Sequence, residues 1–446
     1  MQEILREGQI YEVGGCVRDS LMNRTIGMKD RDYLVSGIPF ERLRKLLLKH
    51  GRVDLVGRSF GVIKFTPHKK SEKSTVPITY DLSLPRAEIS TGPAHTDFDI
   101  DFDPDLPIEK DLMRRDFSIN AMARSLADDS IIDPFGGQID IKKKTIRVVS
   151  ENSFTDDPLR ILRAVQFAAR FEFEIEAATF QSMKDNAHLI ETVSPERIAE
   201  ELNKMFLLAE KPSIGLRLME KCGLLEYIFP ELLSAVGCEQ PGGFHAYDVF
   251  EHTMHIVDAC PPRLALRLAA LFHDITKAEH KRATDTGVTF YGHEGSGAKV
   301  AGEVLKRLRY SNDLINDVTL LVDRHMFTTG VSPKGLRRFI RRIGQRLIPD
   351  LLDLRRADVI AQGMGGTTED VDVMEQAIKE EIDRKSPFGR SDLKIDGNDL
   401  QREFNMDESP VIGDVIDYLL EKVLDNPDDN TSEILLKYAR EYLENK

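Results

Sequence analysis

Apolar and polar positions follow two regimes along this chain. Up to about residue 150 they come in short runs. Ile10-Tyr11-Glu12-Val13, Tyr33-Leu34-Val35, Val62-Ile63-Lys64-Phe65 and Ile78-Thr79-Tyr80-Asp81-Leu82 read as strands, and Phe40 to His50 reads as a short amphipathic helix. Ile132-Asp133-Pro134-Phe135-Gly136-Gly137 reads as a turn closing the sheet, followed by a last strand near Ile146–Val149. From Asp156 onward the pattern is almost wholly helical. Asp157-Pro158 has the form of a helix cap followed by proline at the first helical position. The fold class expected is α+β. It comprises a small mixed β-sheet head over 1–150, an all-α neck over 151–230, a helical body over 231–366 and a helical tail over 367–446. The 446-residue length by itself suggests about three domains.

One stretch breaks the pattern. In Ser90 to Lys110, aspartates recur at every second position from Asp97 to Asp105. It lacks the glycine and closing glutamate of an EF-hand, so a solvated, mobile loop is expected. Hydrophobic residues make up 41% of the chain, enough for real cores, and no run of about 18 apolar residues exists to cross a membrane. The first ten residues hold acids and no apolar core, which points away from secretion. Four scattered cysteines form no CxxC, as for reduced thiols in a cytoplasmic protein. The formal net charge of −14 argues against diffuse polyanion binding. It leaves room for a local basic surface.

The chemistry concentrates in Tyr11 to Gly37. On a strand, Asp30 and Asp32 project from one face, where two carboxylates repel unless a cation lies between them. Mg²⁺ suits such oxygen ligands and leaves positions for phosphate. Gly14-Gly15 lets backbone amides approach a polyphosphate with no Cβ in the way. Together these point to binding a nucleoside triphosphate and displacing pyrophosphate. Taken singly, the glycines could be a tight turn and the aspartates solvated edge charges. Gly14, Gly15, Val17, Arg18, Asp19 and the Asp30/Asp32 pair resemble the head motif of class II tRNA nucleotidyltransferases and bacterial poly(A) polymerases, within the DNA polymerase β superfamily. Asp81 then stands where the family has an acidic residue, although a strand-end charge explains it equally. The resemblance also assigns 90–110 to a flexible loop that helps switch nucleotide specificity. Arg114-Arg115-Asp116-Phe117-Ser118-Ile119-Asn120-Ala121 is similar to the family's second motif. It implies that Arg115, Asp116 and Asn120 contact the ribose and phosphates.

Asp157 and Arg160 are three apart, the spacing of one helix face. A carboxylate accepts from an exocyclic amino group, and a guanidinium donates to the adjacent ring nitrogen. Cytosine and adenine share that pair, whereas uracil and guanine do not. The two residues could thus admit C and A without a template, and they resemble the family's (E/D)DxxR motif, with Asp156 where Glu is common. Arg163 lies one turn on, placed to stack on or bond the base. The competing reading of Asp157 is a helix cap. Arg197 either touches RNA or balances Glu200 and Glu201.

A second chemistry follows. His252, His273-Asp274, His293, His325 and Asp358 lie along apolar helical segments. They resemble the HD phosphohydrolase superfamily. The resemblance makes His252, His273, Asp274 and Asp358 metal ligands, and His293 and His325 the extra histidines of two-metal versions. Mixed imidazole and carboxylate ligands suit Mn²⁺, Fe²⁺, Ni²⁺ or Co²⁺ and water activation against a phosphoester. Lys277 could hold the phosphate. Retention of this fold as scaffold is the alternative. Between His325 and Asp358, Arg337 with Arg341 and Arg338 with Arg342 are one helical turn apart. Like charges at that spacing repel, so a partner is expected, either RNA phosphates or the chain's own acids.

The resemblance implies CCA addition to the tRNA 3′ end from CTP and ATP, using Mg²⁺ in the head, together with a hydrolase in the body. An A-adding or CC-adding enzyme, a poly(A) polymerase, or an HD hydrolase with an inactive head are the alternatives. A protein uridylyltransferase conflicts with Asp157 and Arg160, which disfavour UTP. No membrane contact is expected, and the oligomeric state is not legible.

Overall fold

The computed structural model describes residues 2–24, 31–56, 62–68, 79–90, 98–240, 246–284 and 287–444. The chain gathers into two compact units, Met1–Pro230 and Glu231–Lys446.

The first unit is built on a seven-stranded mixed sheet. Its strands are β1 (Gln9–Val13), β2 (Asp32–Ser36), β3 (Gly51–Val56), β4 (Val62–Pro67), β5 (Tyr80–Ser83), β8 (Ala123–Ser125) and β9 (Ile131–Ile132). Their order is β3-β4-β5-β2-β1-β8-β9. Only the β2–β5 pairing is parallel, and its register sets Asp32 against Asp81. Strand alternation supplies two cores. Ile10, Tyr33, Val35 and Ile63 pack with Leu43, Leu46 and Leu47 of the Phe40–Leu48 helix on one face. Tyr11, Val13 and Leu34 pack with Leu112 and Ala121 on the other.

Three sequence expectations change here. The aspartate-rich stretch is not simply a loop: β6 (Arg86–Ser90) and β7 (Phe98–Phe102) pair as an antiparallel ribbon. Residues 91–97 lie outside the described residues. The last strand is shorter than expected, Thr145–Ile146, and pairs in parallel with Glu174–Ile175 outside the main sheet. Finally, Asp157 precedes the helix it was placed on, since that helix runs Leu159–Phe171. Proline at 158 forces that boundary, because it restricts the conformation of the residue before it. Asp133 does play the structural part read for it. Its carboxylate accepts from the backbone amides of Gly137 and Gln138 at 2.7 and 2.9 Å, where the Gly137–Lys143 helix begins.

Helices complete the first unit. Leu159–Phe171 packs against both Pro195–Leu208 and Pro212–Lys221, burying Ile161, Leu162, Val165 and Ala168. The second unit is mainly helical. Val249–Ala259, Leu264–Phe272, Asn312–Arg324 and Ile348–Ala361 pack on one another, and His293–Arg307 lies along Asn312–Arg324. A separate apolar cluster joins Leu400 to Val415, Leu419, Val423 and Leu435 in the tail helices. Among the described residues no helix is long and apolar enough to cross a membrane.

Candidate functional site

The head cleft forms where β1 and β2 meet the Leu159–Phe171 helix. Gly14 leaves β1 at φ +74°, and a Cβ there would lie 2.8 Å from the Arg115 guanidinium. Only glycine takes that backbone and that approach together. The turn starts the Gly15–Leu21 helix, which carries Arg18 inward. Arg18 is 4% exposed, donates from Nε to Asp19 at 2.8 Å and from Nη1 to Asn120 Oδ1 at 2.5 Å, and lies 5.1 Å from the centre of the Phe167 ring. Burial pulls its pKa below the usual arginine value, opposed by Asp19.

From Asn120 a buried network continues. Asn120 Nδ2 donates to Asp116 Oδ1 at 2.9 Å, and the Phe117 amide donates to the same oxygen at 2.8 Å. Arg163 grips Asp116 Oδ2 from Nη2 and Nε at 2.6 and 2.9 Å, and reaches Glu201 at 3.3 Å. Burial by itself raises the Asp116 pKa. The Arg163 charge, the Asn120 amide and the Phe117 amide outweigh it, and the carboxyl is held below its ordinary value. Arg114 and Arg115 are both tied to the fully buried Asp111, at 2.9 and 3.4 Å.

The cleft, of about 470 Å³, is lined by Gly14, Gly15, Arg18, Asp32, Arg115, Asp116, Asn120, Asp157, Arg160 and Arg163. Sequence reasoning thus named residues that the fold gathers into one concavity, although they span 150 positions. Asp32 is exposed at the start of β2, and Asp81 lies level with it on the parallel neighbour, with Lys64 Nζ 3.7 Å away. Asp30 lies outside the described residues. Seven arginines and one lysine line the cleft against four carboxylates, so it favours an anion. Asp32 and Asp81 are oxygen donors at one level of the sheet and suit a divalent cation.

Asp157 and Arg160 both reach the cleft, and both already have partners within the chain. Arg160 donates to the Arg114 carbonyl at 2.7 Å and to Ser153 O at 3.3 Å. Asp157 pairs with Arg197 at 3.0 Å and accepts from the Leu159 amide at 3.2 Å. Asp157 thus holds the amide at the start of the helix and lines the cleft at the same time, with Arg197 as its partner. Sequence reasoning missed Phe167, Arg170 and Lys204 of this cleft, and read Glu201 as a counter-charge to Arg197, whereas it is buried against Arg163 and Lys204. A signal existed: 160, 163, 167 and 170 repeat at helical spacing, one polar-aromatic stripe.

The second unit holds the histidine cluster. His252, His273 and Asp274 place ligand atoms within 4.8 Å of one another, and so do Asp274, His293 and His325. Asp274 is common to both groups. Its oxygens lie 3.1 Å from His273 Nε2, 3.1 Å from His293 Nε2 and 2.7 Å from Lys277 Nζ. Asp358 joins through His252 Nε2 at 3.1 Å, and its other oxygen accepts from Arg355 at 2.9 Å. Every one of the four imidazoles uses Nδ1 on a backbone carbonyl: His252 on Ala361, His273 on Ala270, His293 on Phe290 and His325 on Val322. Each Nδ1–H therefore donates to a carbonyl, and each Nε2 is turned toward the cluster. The buried His273 Nε2 makes no hydrogen bond, and His293 and His325 face each other Nε2 to Nε2 at 3.3 Å. Two neutral imidazole acceptors repel at that distance without a cation or proton between them, so the residues fit a divalent metal. Burial, with the charge of His273 beside it, pushes the His325 pKa down to about 4, which keeps that ring neutral. The nearby histidines and Lys277 hold Asp274 well below the usual carboxylate range against the opposing effect of burial.

The arginine-rich segment finds partners among the chain's own acids and carbonyls. Arg337 is 7% exposed and donates to the Leu424 and Asp425 carbonyls at 2.6 and 3.0 Å and to Glu381 at 3.1 Å. Arg338 pairs with Glu421 and Asp425, and Arg341 with Glu421 and Asp417. The repulsion expected along Pro333–Ile343 is relieved by the acids of the Pro410–Asp425 helix. Of these four arginines Arg342 alone is exposed without an ion pair among the described residues.

Comparison with known proteins places the chain. The "Poly A polymerase head domain" family matches residues 10–147, the "Probable RNA and SrmB- binding site of polymerase A" matches 172–236, and tRNA nucleotidyltransferase domain 2 matches 293–439. The chain is 35% identical over 329 residues to the "Multifunctional CCA protein" of Burkholderia pseudomallei, covering 71% of this chain and 74% of that one. It is 35% identical over 327 residues to the protein of the same name from Ralstonia nicotianae, covering 71% of each. Its fold is similar to a Bacillus stearothermophilus CCA-adding enzyme solved with CTP, with a TM-score of 0.70 at 21% identity over 100% of this chain and 97% of that one. A Thermotoga maritima CCA-adding enzyme solved with tRNA matches with a TM-score of 0.55 at 23% identity, over 98% of this chain and 92% of that one. With the glycine turn, the arginine-lined cleft and the histidine cluster each in place, these relationships establish that the chain belongs to the multifunctional CCA protein family.

Proposed function

We propose that this protein is a template-independent tRNA nucleotidyltransferase that adds C, C and A to the 3′ end of tRNA from CTP and ATP. One observation carries the reading: the glycine turn, the Arg18–Asn120–Asp116–Arg163 network and the Asp157/Arg160 pair line a single cationic cleft beside Asp32. The guanidinium groups of Arg18 and Arg115 bind the triphosphate. Asp116 and Asn120 orient the ribose. Asp157 accepts from the exocyclic amino group of C or A, while Arg160 donates to the adjacent ring nitrogen. Arg163 stacks on or bonds the base. Asp30, Asp32 and Asp81 would hold Mg²⁺, which when bound lowers the pKa of the terminal 3′-hydroxyl and neutralises the leaving pyrophosphate.

The test incubates the full chain with Mg²⁺, tRNA lacking three, two or one terminal nucleotides, and each labelled triphosphate singly. Incorporation of C and then A is expected. Addition of A alone, whatever the acceptor, turns the reading to an A-adding enzyme or a poly(A) polymerase. Asp32→Ala abolishes incorporation, whereas Asp274→Ala spares it.

The histidine cluster favours a second activity in the same chain. His252, His273, Asp274 and Asp358, with His293 and His325, would hold Ni²⁺, Mn²⁺, Co²⁺ or Fe²⁺, which when bound supplies an activated water for phosphoester hydrolysis. Lys277 and Arg355 neutralise the phosphate. The substrates proposed are 2′,3′-cyclic phosphates and nucleotide monoesters. Asp274→Ala is expected to remove hydrolysis of both while C and A incorporation continues.

A further inference from the structure

The cavity beside the histidine cluster holds features that phosphate hydrolysis does not use. It measures about 610 Å³, the size that encloses a small organic ligand, and far exceeds what a phosphate group fills. Tyr291 lines it with 87% of its surface exposed, and Met326 lines it at 58%. Tyr291 sits on a fixed piece of backbone. Its carbonyl accepts from His280 Nδ1 at 2.9 Å, and the preceding Phe290 carbonyl accepts from His293 Nδ1 at 2.7 Å. These two bonds fix the backbone that carries Tyr291 at the cavity mouth and leave its ring open for something to pack on. Gln240 also lines the cavity. It is 7% exposed, its amide nitrogen is spent on the Tyr247 carbonyl at 3.3 Å, and its side-chain oxygen has no partner.

We propose that Tyr291 and Met326 form a base-stacking subsite, so that the cluster acts on nucleoside phosphoesters and discriminates against base-free ones. Gln240 accepts from a ribose hydroxyl or an exocyclic amine. This assignment rests on reading the cluster as a phosphoester hydrolase. Stacking tolerates any base, because every base presents a π face to the ring. Tyr291 therefore sets base against no base, and Gln240 is the residue able to favour one base over another.

The chain contains no tryptophan, which makes a local reporter available. Tyr291→Trp places a single indole at the proposed subsite of the full chain, blind to nucleotide bound elsewhere. Adenosine 2′-monophosphate is expected to quench its emission, and ribose 5-phosphate and inorganic phosphate are not. Emission unaltered by millimolar nucleotide overturns the proposal. In hydrolysis assays, Tyr291→Ala is expected to raise KM for the nucleotide by about tenfold, with kcat within about twofold and Tyr291→Phe close to the parent. If the nucleotide is hydrolysed with an unchanged KM in Tyr291→Ala, the stacking assignment falls and the hydrolase stands. If nothing is hydrolysed but quenching occurs, the subsite stands and the hydrolase falls.

Discussion

Asp116 decides the most at the level of single residues. It is a buried carboxylate compensated by Arg163, Asn120 and a backbone amide, and its pKa is held below that of a free aspartate. The stabilisation it provides is therefore complete above the unfolded value of about 4 and is lost as pH falls through the lower folded value. Asp116→Asn removes that acid limb, so urea midpoints of the parent and the variant should converge as pH drops below about 4. Arg163→Met leaves the buried Asp116 without its cation, while Glu201 keeps Lys204 at 2.7 Å, and a loss of about 3 kcal/mol in urea unfolding is expected. Gly14→Ala meets both a left-handed backbone and the Arg115 guanidinium at 2.8 Å. It should cost about 1–2 kcal/mol from the backbone alone and displace Arg115, so KM for CTP rises even where the protein still folds. Gly14-Gly15, Arg18 and Arg115 were legible in the chain as motif residues. Asp111, the buried anchor of Arg114 and Arg115, was not, because an acid near two arginines looks the same in sequence whether buried or solvated.

Helices and strands were recovered where periodicity was unopposed. The Phe40–Leu48 helix and β1, β2 and β4 lie where alternation placed them. The β6–β7 ribbon escaped because alternating aspartates carry the period of a strand under the composition of a loop. The Pro333–Ile343 helix gives the clearest element-level test. Arg337 is buried against Glu381 and two carbonyls, whereas Arg338 and Arg341 are partly exposed against Glu421, Asp417 and Asp425. Arg337→Met should destabilise the second unit by about 3 kcal/mol or more in denaturant unfolding. Arg338→Ala and Arg341→Ala should each cost about 1 kcal/mol or less, with the difference shrinking in salt. None of the three should alter the salt dependence of tRNA binding, measured as the slope of affinity against salt concentration.

For the whole molecule, the cationic cleft and the histidine cluster lie in separate compact units, Met1–Pro230 and Glu231–Lys446. Chelation of transition metals followed by Mg²⁺ replenishment should leave nucleotide incorporation intact and abolish phosphoester hydrolysis, both measured on the same sample. The sequence by itself determined the order of elements, the glycine turn, and the residue types in both sites, because these depend on spacing along a few turns or strands. Tertiary structure alone decided how the charges are shared. Arg337 meets Glu381 and the Leu424 carbonyl, Arg163 meets Asp116 and Glu201, and Tyr291 stands at the mouth of the histidine cavity. Those partners lie tens of residues apart. A guanidinium joins whichever carboxylate or carbonyl the packed helices bring within about 3 Å, and local periodicity carries no record of which that is.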